Sequence, residues 1–279
     1  MRDSFYGWYL KCQSDTQTLA VIPAVHKAGR KRTCSIQIIT NDGAWTVTLS
    51  GKSYRRTGKN IFIGKNRFGE NGIYLDIDTQ NITAKGRLYF GALTPLKYDI
   101  MGPFSLVPFM ECRHSVLSMK HWVLGKMCIN GQEYSFYNGR GYWEGDEGRS
   151  FPKKYAWTQC NFKDGSLMLS VADIPIAGLN FTGVIGVILW RGRQYRFATY
   201  LGARVVKKRN GIIRIVQGNM SLDVYLIKSD KKALMAPSNG DMVRTIHESV
   251  VCTAAYRFKK GNRTIFNFKT DSASFEYEY

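Results

Sequence analysis

The sequence predicts an all-β protein of antiparallel, up-and-down strands that close into barrels, with very little helix. Three observations predict it. Apolar and polar residues alternate with a period of two along most of the chain. Asn-Gly and Asp-Gly pairs, which supply the positive φ angles of tight hairpins, recur between the alternating runs. Aromatic residues make up 13% of the 279 residues, with 16 Tyr and 15 Phe, a usage that favours strands over helices. No helical periodicity longer than about ten residues interrupts the pattern. So many hairpins leave sheet edges to protect, and closure into barrels removes them.

The elements follow in order. After the turn Asn41-Asp42-Gly43, Trp45, Val47 and Leu49 alternate with Thr46, Thr48 and Ser50. Ile73, Leu75 and Ile77 alternate with Tyr74, Asp76 and Asp78, and after residues 78–81 the alternation resumes through Ile82, Ala84, Gly86, Leu88 and Phe90. Asn130-Gly131 joins Met127–Ile129 to Tyr134–Phe136, and further turns stand at Asp164-Gly165, Asn210-Gly211 and Gly261-Asn262. Leu167, Leu169 and Val171, then Leu222, Val224 and Leu226, mark later strands of the same kind. One apolar and one polar face is the pattern of antiparallel strands lining a core or a ligand cavity.

Residues 91–110 break the pattern and hold three of the seven prolines. A stretch of that length without strand pattern is a functional loop or a domain crossing, and its apolar content favours a crossing packed between two β units. The expected division is 1–110, including the crossing, and 111–279. A single sheet sandwich is the competing architecture.

Composition bounds the function. With 44% apolar and 22% charged residues the chain is not disordered. It is long enough to bury a core without disulfides or a metal. The six cysteines have no C-x-x-C spacing and read as reduced core residues, and no His-x-His or H-E-x-x-H pattern points to a metal. No G-x-S-x-G and no G-x-G-x-x-G before a helix is present, so neither a serine hydrolase nor a nucleotide cofactor is expected. The expectation is no cofactor and no metal. The longest apolar run, Val184 to Trp190, is too short to span a bilayer, and Met1-Arg-Asp-Ser opens without a signal core, so a cytoplasmic location is expected. Forty Lys and Arg against 21 Asp and Glu give a net charge of +19. The basic residues gather at Lys27–Arg32, Arg55–Lys59, Lys207–Arg209 and Lys228–Lys232, in predicted turns and loops. Solvated loop charge is the first reading, peripheral contact with an anionic membrane the second, and nucleic acid the last, because the clusters are short and scattered. Oligomeric state leaves no signal in the sequence.

The densest set of reactive and aromatic groups runs from Gly139 to Asn161. Glu144 and Asp146 stand two apart, so on a strand they share a face. Two carboxylates on one enclosed face cannot both ionise cheaply, and one moves toward the range of a general acid. The bland alternative is that they pair with Arg140 and Arg149 and brace a loop. His114, after Glu111-Cys112-Arg113, is a further candidate for proton transfer, although a lone histidine on a strand more often serves structure. Trp143 and Trp157 are candidates for a cavity wall.

Several of these motifs together resemble a family. Phe5-Tyr6-Gly7-Trp8-Tyr9-Leu10-Lys11 resembles the F-x-G-W-Y-F-K opening of tocopherol cyclase-like proteins, and Ala20-Val21-Ile22-Pro23 the strand that follows it. Glu111-Cys112-Arg113-His114 and the Gly139–Asn161 segment, with Trp157-Thr158-Gln159-Cys160-Asn161 at its end, resemble the family's central signature. Where that signature reads E-K-D/N-W-G, this chain has Glu144-Gly145-Asp146-Glu147-Gly148. The resemblance implies two lipocalin-like (calycin-type) β-barrels packed together. It also implies a cofactor-independent, acid-catalysed cyclisation or isomerisation of a hydrophobic prenylated or polyene substrate. Such chemistry needs an acid, a dry pocket and aromatic faces that tolerate a cation. On this reading Glu144, Asp146 and His114 are catalytic, and Tyr6, Trp8, Trp143, Trp157, Gln159 and Asn161 bind the substrate. A non-catalytic carrier of an apolar ligand is the alternative, and a basic nucleic-acid-binding module the distant third.

Overall fold

The structure is a computed structural model that describes residues 3–107, 110–176 and 179–279. The first sheet contains β1 (Ser4–Gln13), β2 (Thr18–Ala28), β3 (Lys31–Thr40), β4 (Ala44–Ser50), β5 (Tyr54–Thr57), β6 (Asn60–Ile63), β7 (Asn66–Gly69), β8 (Gly72–Asp78), β9 (Thr83–Phe90), β10 (Cys112–Ile129) and β11 (Gln132–Gly148). The order across it is β4-β3-β2-β1-β11-β10-β9-β8-β7-β6-β5. The second sheet contains β12 (Lys154–Phe162), β13 (Gly165–Ile176), β14 (Leu179–Trp190), β15 (Arg193–Ala198), β16 (Arg204–Arg209), β17 (Ile212–Gln217), β18 (Met220–Ser229), β19 (Lys232–Ser238), β20 (Asp241–Lys260) and β21 (Arg263–Tyr277). Its order is β15-β14-β13-β12-β21-β20-β18-β17-β16, with β19 paired to β20. Among the described residues helix is confined to three short 3-10 turns, so the all-β expectation holds.

Each sheet curls around its own apolar core, as in lipocalin-like barrels. Inward positions of the first are filled by Trp8, Leu10, Ile36, Ile38, Phe68, Leu75, Leu88 and Trp143, and of the second by Leu167, Leu169, Ile188, Phe197, Tyr256, Phe258 and Phe275. The first barrel is nearly closed: the Arg32 guanidinium of β3 lies 5.5 Å over the Tyr54 ring on β5, and Arg56 on β5 lies 4.3 Å over Tyr6 on β1. Asn130-Gly131 and Asn210-Gly211 form hairpins with both φ angles positive, the conformation these residues adopt at little steric cost. The basic residues at 55–56 and 207–209 lie on strands β5 and β16 rather than in loops.

The compact units divide the chain differently from a cut at residue 110. The first holds the chain up to Lys97, Met110–Phe151 and Leu234–Thr245, and the second holds 98–107, Pro152–Ala233 and Ile246–Tyr279. The reason is long-range pairing. β11 pairs with β1 and β10 with β9, so both complete the first sheet although they follow the proline-rich segment. Within that segment, 98–107 packs on the second unit. The Arg196 guanidinium donates to the carbonyls of Tyr98 (2.8 Å) and Asp99 (2.6 Å), and Tyr200 donates to Ile100 at 3.0 Å. Gly102 has φ +51, and a Cβ there would meet the Tyr200 ring at 2.6 Å.

A buried charge cluster braces the second sheet. Asp223 on β18 accepts from Arg214 on β17 at 2.5 Å and from Arg257 on β20 at 2.6 and 2.9 Å. Its side chain is 5% exposed, whereas the two arginines are 43% and 36% exposed and keep much of their hydration. Asp223→Ala is therefore expected to cost about 1–2 kcal/mol, read as a lower urea midpoint with unchanged slope. An unchanged midpoint would mean that the cluster contributes nothing net.

Candidate active site

Residues Tyr142, Glu144 and Asp146 occupy alternate positions of β11 and so leave one face of the strand. Opposite Asp146 on β10 stands His114. The imidazole lies between the two carboxyl groups, with Nδ1 2.9 Å from Asp146 Oδ1 and Nε2 3.2 Å from Glu144 Oε2. The Tyr142 hydroxyl donates to the same Glu144 oxygen at 2.5 Å. Cys112, two residues before His114, directs its thiol at Asp146 Oδ1 at 3.5 Å. The side chains of Asp146, His114 and Glu144 are 21%, 10% and 6% exposed, so the row runs from partial exposure into the interior.

Burial sets the electrostatics. Desolvation alone would push His114 down, but Asp146 and Glu144 on either side outweigh it and hold the imidazole well above its ordinary value. Desolvation raises the Glu144 carboxyl, and the His114 charge only partly offsets it. Tyr142 and Cys112 are pushed well up by burial and by the neighbouring carboxylates. His114, Glu144, Tyr142 and Cys112 therefore hold protons more tightly than the same groups in water, and they hold them where bulk water has little access.

Among the described residues, His114, Glu144 and Asp146 also have the composition of a metal site, with one ligand atom of each within 4.8 Å of the others. The geometry argues for a proton row instead. A bound ion needs its ligands about 2.0–2.2 Å away on one side. Here the two nitrogens of a single ring, which point apart, each face a different carboxyl group.

The structure brings together Glu144, Asp146 and His114 and adds Tyr142 and Cys112, which the sequence reading had not assigned. The ion pairs described for the two acids are with His114. It does not bring Trp8 and Trp143 to the same face. Trp143 lies between Tyr142 and Glu144 in sequence, so it leaves β11 on the opposite side and joins the first core. There its ring meets Trp8 edge-on at 4.8 Å, and Trp8 Nε1 donates to the Tyr6 hydroxyl at 2.7 Å. Trp157, Gln159 and Asn161 lie on β12 in the second unit, buried, with Gln159 donating to Asn161 at 3.3 Å and to Ser166 at 3.4 Å.

Residues 79–198 match the tocopherol cyclase-like family. The tocopherol cyclase-like region carries His114, Tyr142, Glu144 and Asp146, whereas the Phe5–Lys11 opening lies outside it. No curated protein matches the chain in sequence. The fold is similar to that in the crystal structure of CghA with Sch210972, with a TM-score of 0.61, 9% identity and coverage of 99% of this chain and 88% of that one. It is similar also to kievitone hydratase from Nectria haematococca, with a TM-score of 0.58, 9% identity and coverage of 99% and 89%. At such identity the likeness is one of fold. No helix among the described residues is long and apolar enough to cross a membrane.

Proposed function

We propose that the protein is a cofactor-independent enzyme that protonates a carbon–carbon double bond of an apolar, prenylated or polyene substrate and so cyclises or isomerises it. The observation that carries this reading is the Asp146–His114–Glu144 row, graded from partial exposure to burial, with both carboxyl groups on the one imidazole. Its chemistry balances. Glu144, kept protonated by burial, gives its proton to the alkene and becomes a carboxylate beside the His114 imidazolium. The resulting tertiary cation is captured by a hydroxyl of the same molecule, whose proton returns to Glu144, or it loses a proton from the adjacent carbon. Cyclisation and isomerisation both return that proton to Glu144 and leave the enzyme unchanged, while His114, held by Asp146, stabilises the Glu144 carboxylate as long as the substrate cation lasts. A carboxyl raised by burial is what general-acid catalysis asks for. The family match over residues 79–198 supports the reading, as do neighbours whose names are a hydratase and a complex with a small molecule.

The test is to identify apolar molecules that co-purify with the native protein and to incubate them with it in deuterated water. The expected result is a product carrying one deuterium at the protonated carbon. A ligand returned unchanged and unlabelled after long incubation would identify a carrier instead.

A further inference from the structure

A second feature lies on the outer face of the first sheet and takes no part in this chemistry. Inward positions of β6 to β10, namely Ile61, Ile63, Phe68, Ile73, Leu75, Leu88 and Met127, fill the core, so the residues between them face outward. Across five strands the outward register runs Arg55, Phe62, Arg67, Tyr74 and Arg87, each directly opposite the next. The guanidinium of Arg55 lies 4.0 Å over the Phe62 ring, and that of Arg87 lies 5.2 Å over Tyr74 and 5.7 Å over Tyr89. The acids of this face are matched by lysines: Asp76 by Lys65, Asp78 by Lys85 and Glu133 by Lys126. Among the described residues Arg55, Arg67 and Arg87 have no acidic partner, so the ladder keeps its positive charge.

Beside the ladder is an apolar patch. Tyr89 stands opposite Leu124, and Leu124 stands opposite a bulge in β11 where Val123 pairs with Gly139 but Gly125 pairs with Phe136. The extra residue is Asn138, at φ +58, and the bulge sets Tyr137 beside Leu124. Trp122 follows on the same face, opposite Arg140. Tyr89, Trp122, Leu124 and Tyr137 are 51%, 58%, 53% and 65% exposed. Four large exposed apolar side chains on neighbouring positions of one sheet face mark an interaction surface.

We infer that this face docks on an anionic lipid membrane. Trp and Tyr flanking an aliphatic side chain is the composition that settles at the boundary between headgroups and acyl chains. The unpaired arginines beside them meet lipid phosphates, in keeping with the net charge of +19. A single-stranded nucleic acid fits less well. The rings of Phe62 and Tyr74 are already covered by guanidinium groups, and Leu124 at the centre of the patch offers no face for a base. The surface is independent of the reaction proposed above, and its test uses no substrate.

The experiment is sedimentation of the full chain with vesicles of phosphatidylcholine alone, or with about one third of it replaced by phosphatidylserine. Binding to the anionic vesicles only, weakened by salt, is expected. Leu124→Ser combined with Tyr137→Ser should abolish it, and Arg67→Gln combined with Arg87→Gln should lower the partition coefficient about tenfold or more. All four side chains are exposed, and circular dichroism melts would verify the fold of each variant. Lys207→Gln with Arg209→Gln, on a separate basic strand, should bind as the parent does. The inference is overturned if patch and ladder variants bind like the parent, or if the chain ignores anionic vesicles. It is equally overturned if these variants instead lose binding to a single-stranded oligonucleotide.

Discussion

Glu144→Gln is expected to lower turnover by about 10²–10⁴-fold, the usual cost of removing a general acid, while the fold survives. The amide keeps the shape of the carboxyl group, and its oxygen can still accept the Tyr142 hydroxyl that lies 2.5 Å from Glu144 Oε2. What it cannot do is release a proton to an alkene and take one back. The deuterium label should disappear with the activity, while ligand co-purification persists. Asp146→Asn acts one step further out in the row, so it should weaken the hold on the His114 imidazolium rather than remove the donor and cost less than Glu144→Gln. A Glu144→Gln protein whose activity falls only in proportion to its folded fraction would show that the row braces β10 and β11 and nothing more. Equal losses from the two variants would place the donor elsewhere in the row.

Much of this arrangement is legible in the sequence, and the rest is not for definite reasons. The shared face of Glu144 and Asp146 follows from strand period alone, and Tyr142, two residues earlier, follows by the same rule. The same rule places Trp143 on the far side of β11, so an aromatic wall built from Trp8 and Trp143 around the acids contradicts the strand geometry that predicts the acid pair. His114 is different. It meets Asp146 only because β10 pairs with β11 in one particular register, interrupted by bulges between Val116 and Val123, and local sequence does not encode that register. The division of the chain is hidden for the same reason, since β1 and β11 become neighbours across more than a hundred residues. The arginine–aromatic ladder shows the limit most plainly. Arg55, Phe62, Arg67, Tyr74 and Arg87 are unremarkable alternations one strand at a time, and they become a surface only when four hairpins place them side by side.

His114→Leu should have the largest effect on stability, and its pH dependence distinguishes the row from ordinary packing. In the folded protein the imidazole is raised above its unfolded value by Asp146 and Glu144, against the opposing effect of burial. The stabilisation from its charge is complete below about pH 6.5, the ordinary value of a histidine, and is lost as the pH rises through the higher folded value. The Glu144 carboxyl is raised as well, chiefly by burial, so ionising it costs stability above its ordinary value of 4.5. Both groups bind protons more tightly folded than unfolded, so the parent loses stability as the pH rises above 4.5 on account of Glu144 and above about 6.5 on account of His114. Replacing His114 by leucine leaves Glu144 buried beside Asp146 without the cation between them. Removing one member of a buried charge cluster costs roughly 3 kcal/mol. The loss should be greatest near pH 6.5, where the parent imidazole is charged and the variant, without that cation, must hold Glu144 protonated although the unfolded carboxyl ionises. It should shrink on acidification toward pH 4.5, where the unfolded carboxyl takes up a proton as well. Urea unfolding of parent and variant between these two pH values measures the difference directly. A cost that is the same at both would mean that leucine merely packs badly in place of the ring, and the charged row would then have no part in the stability of the sheet.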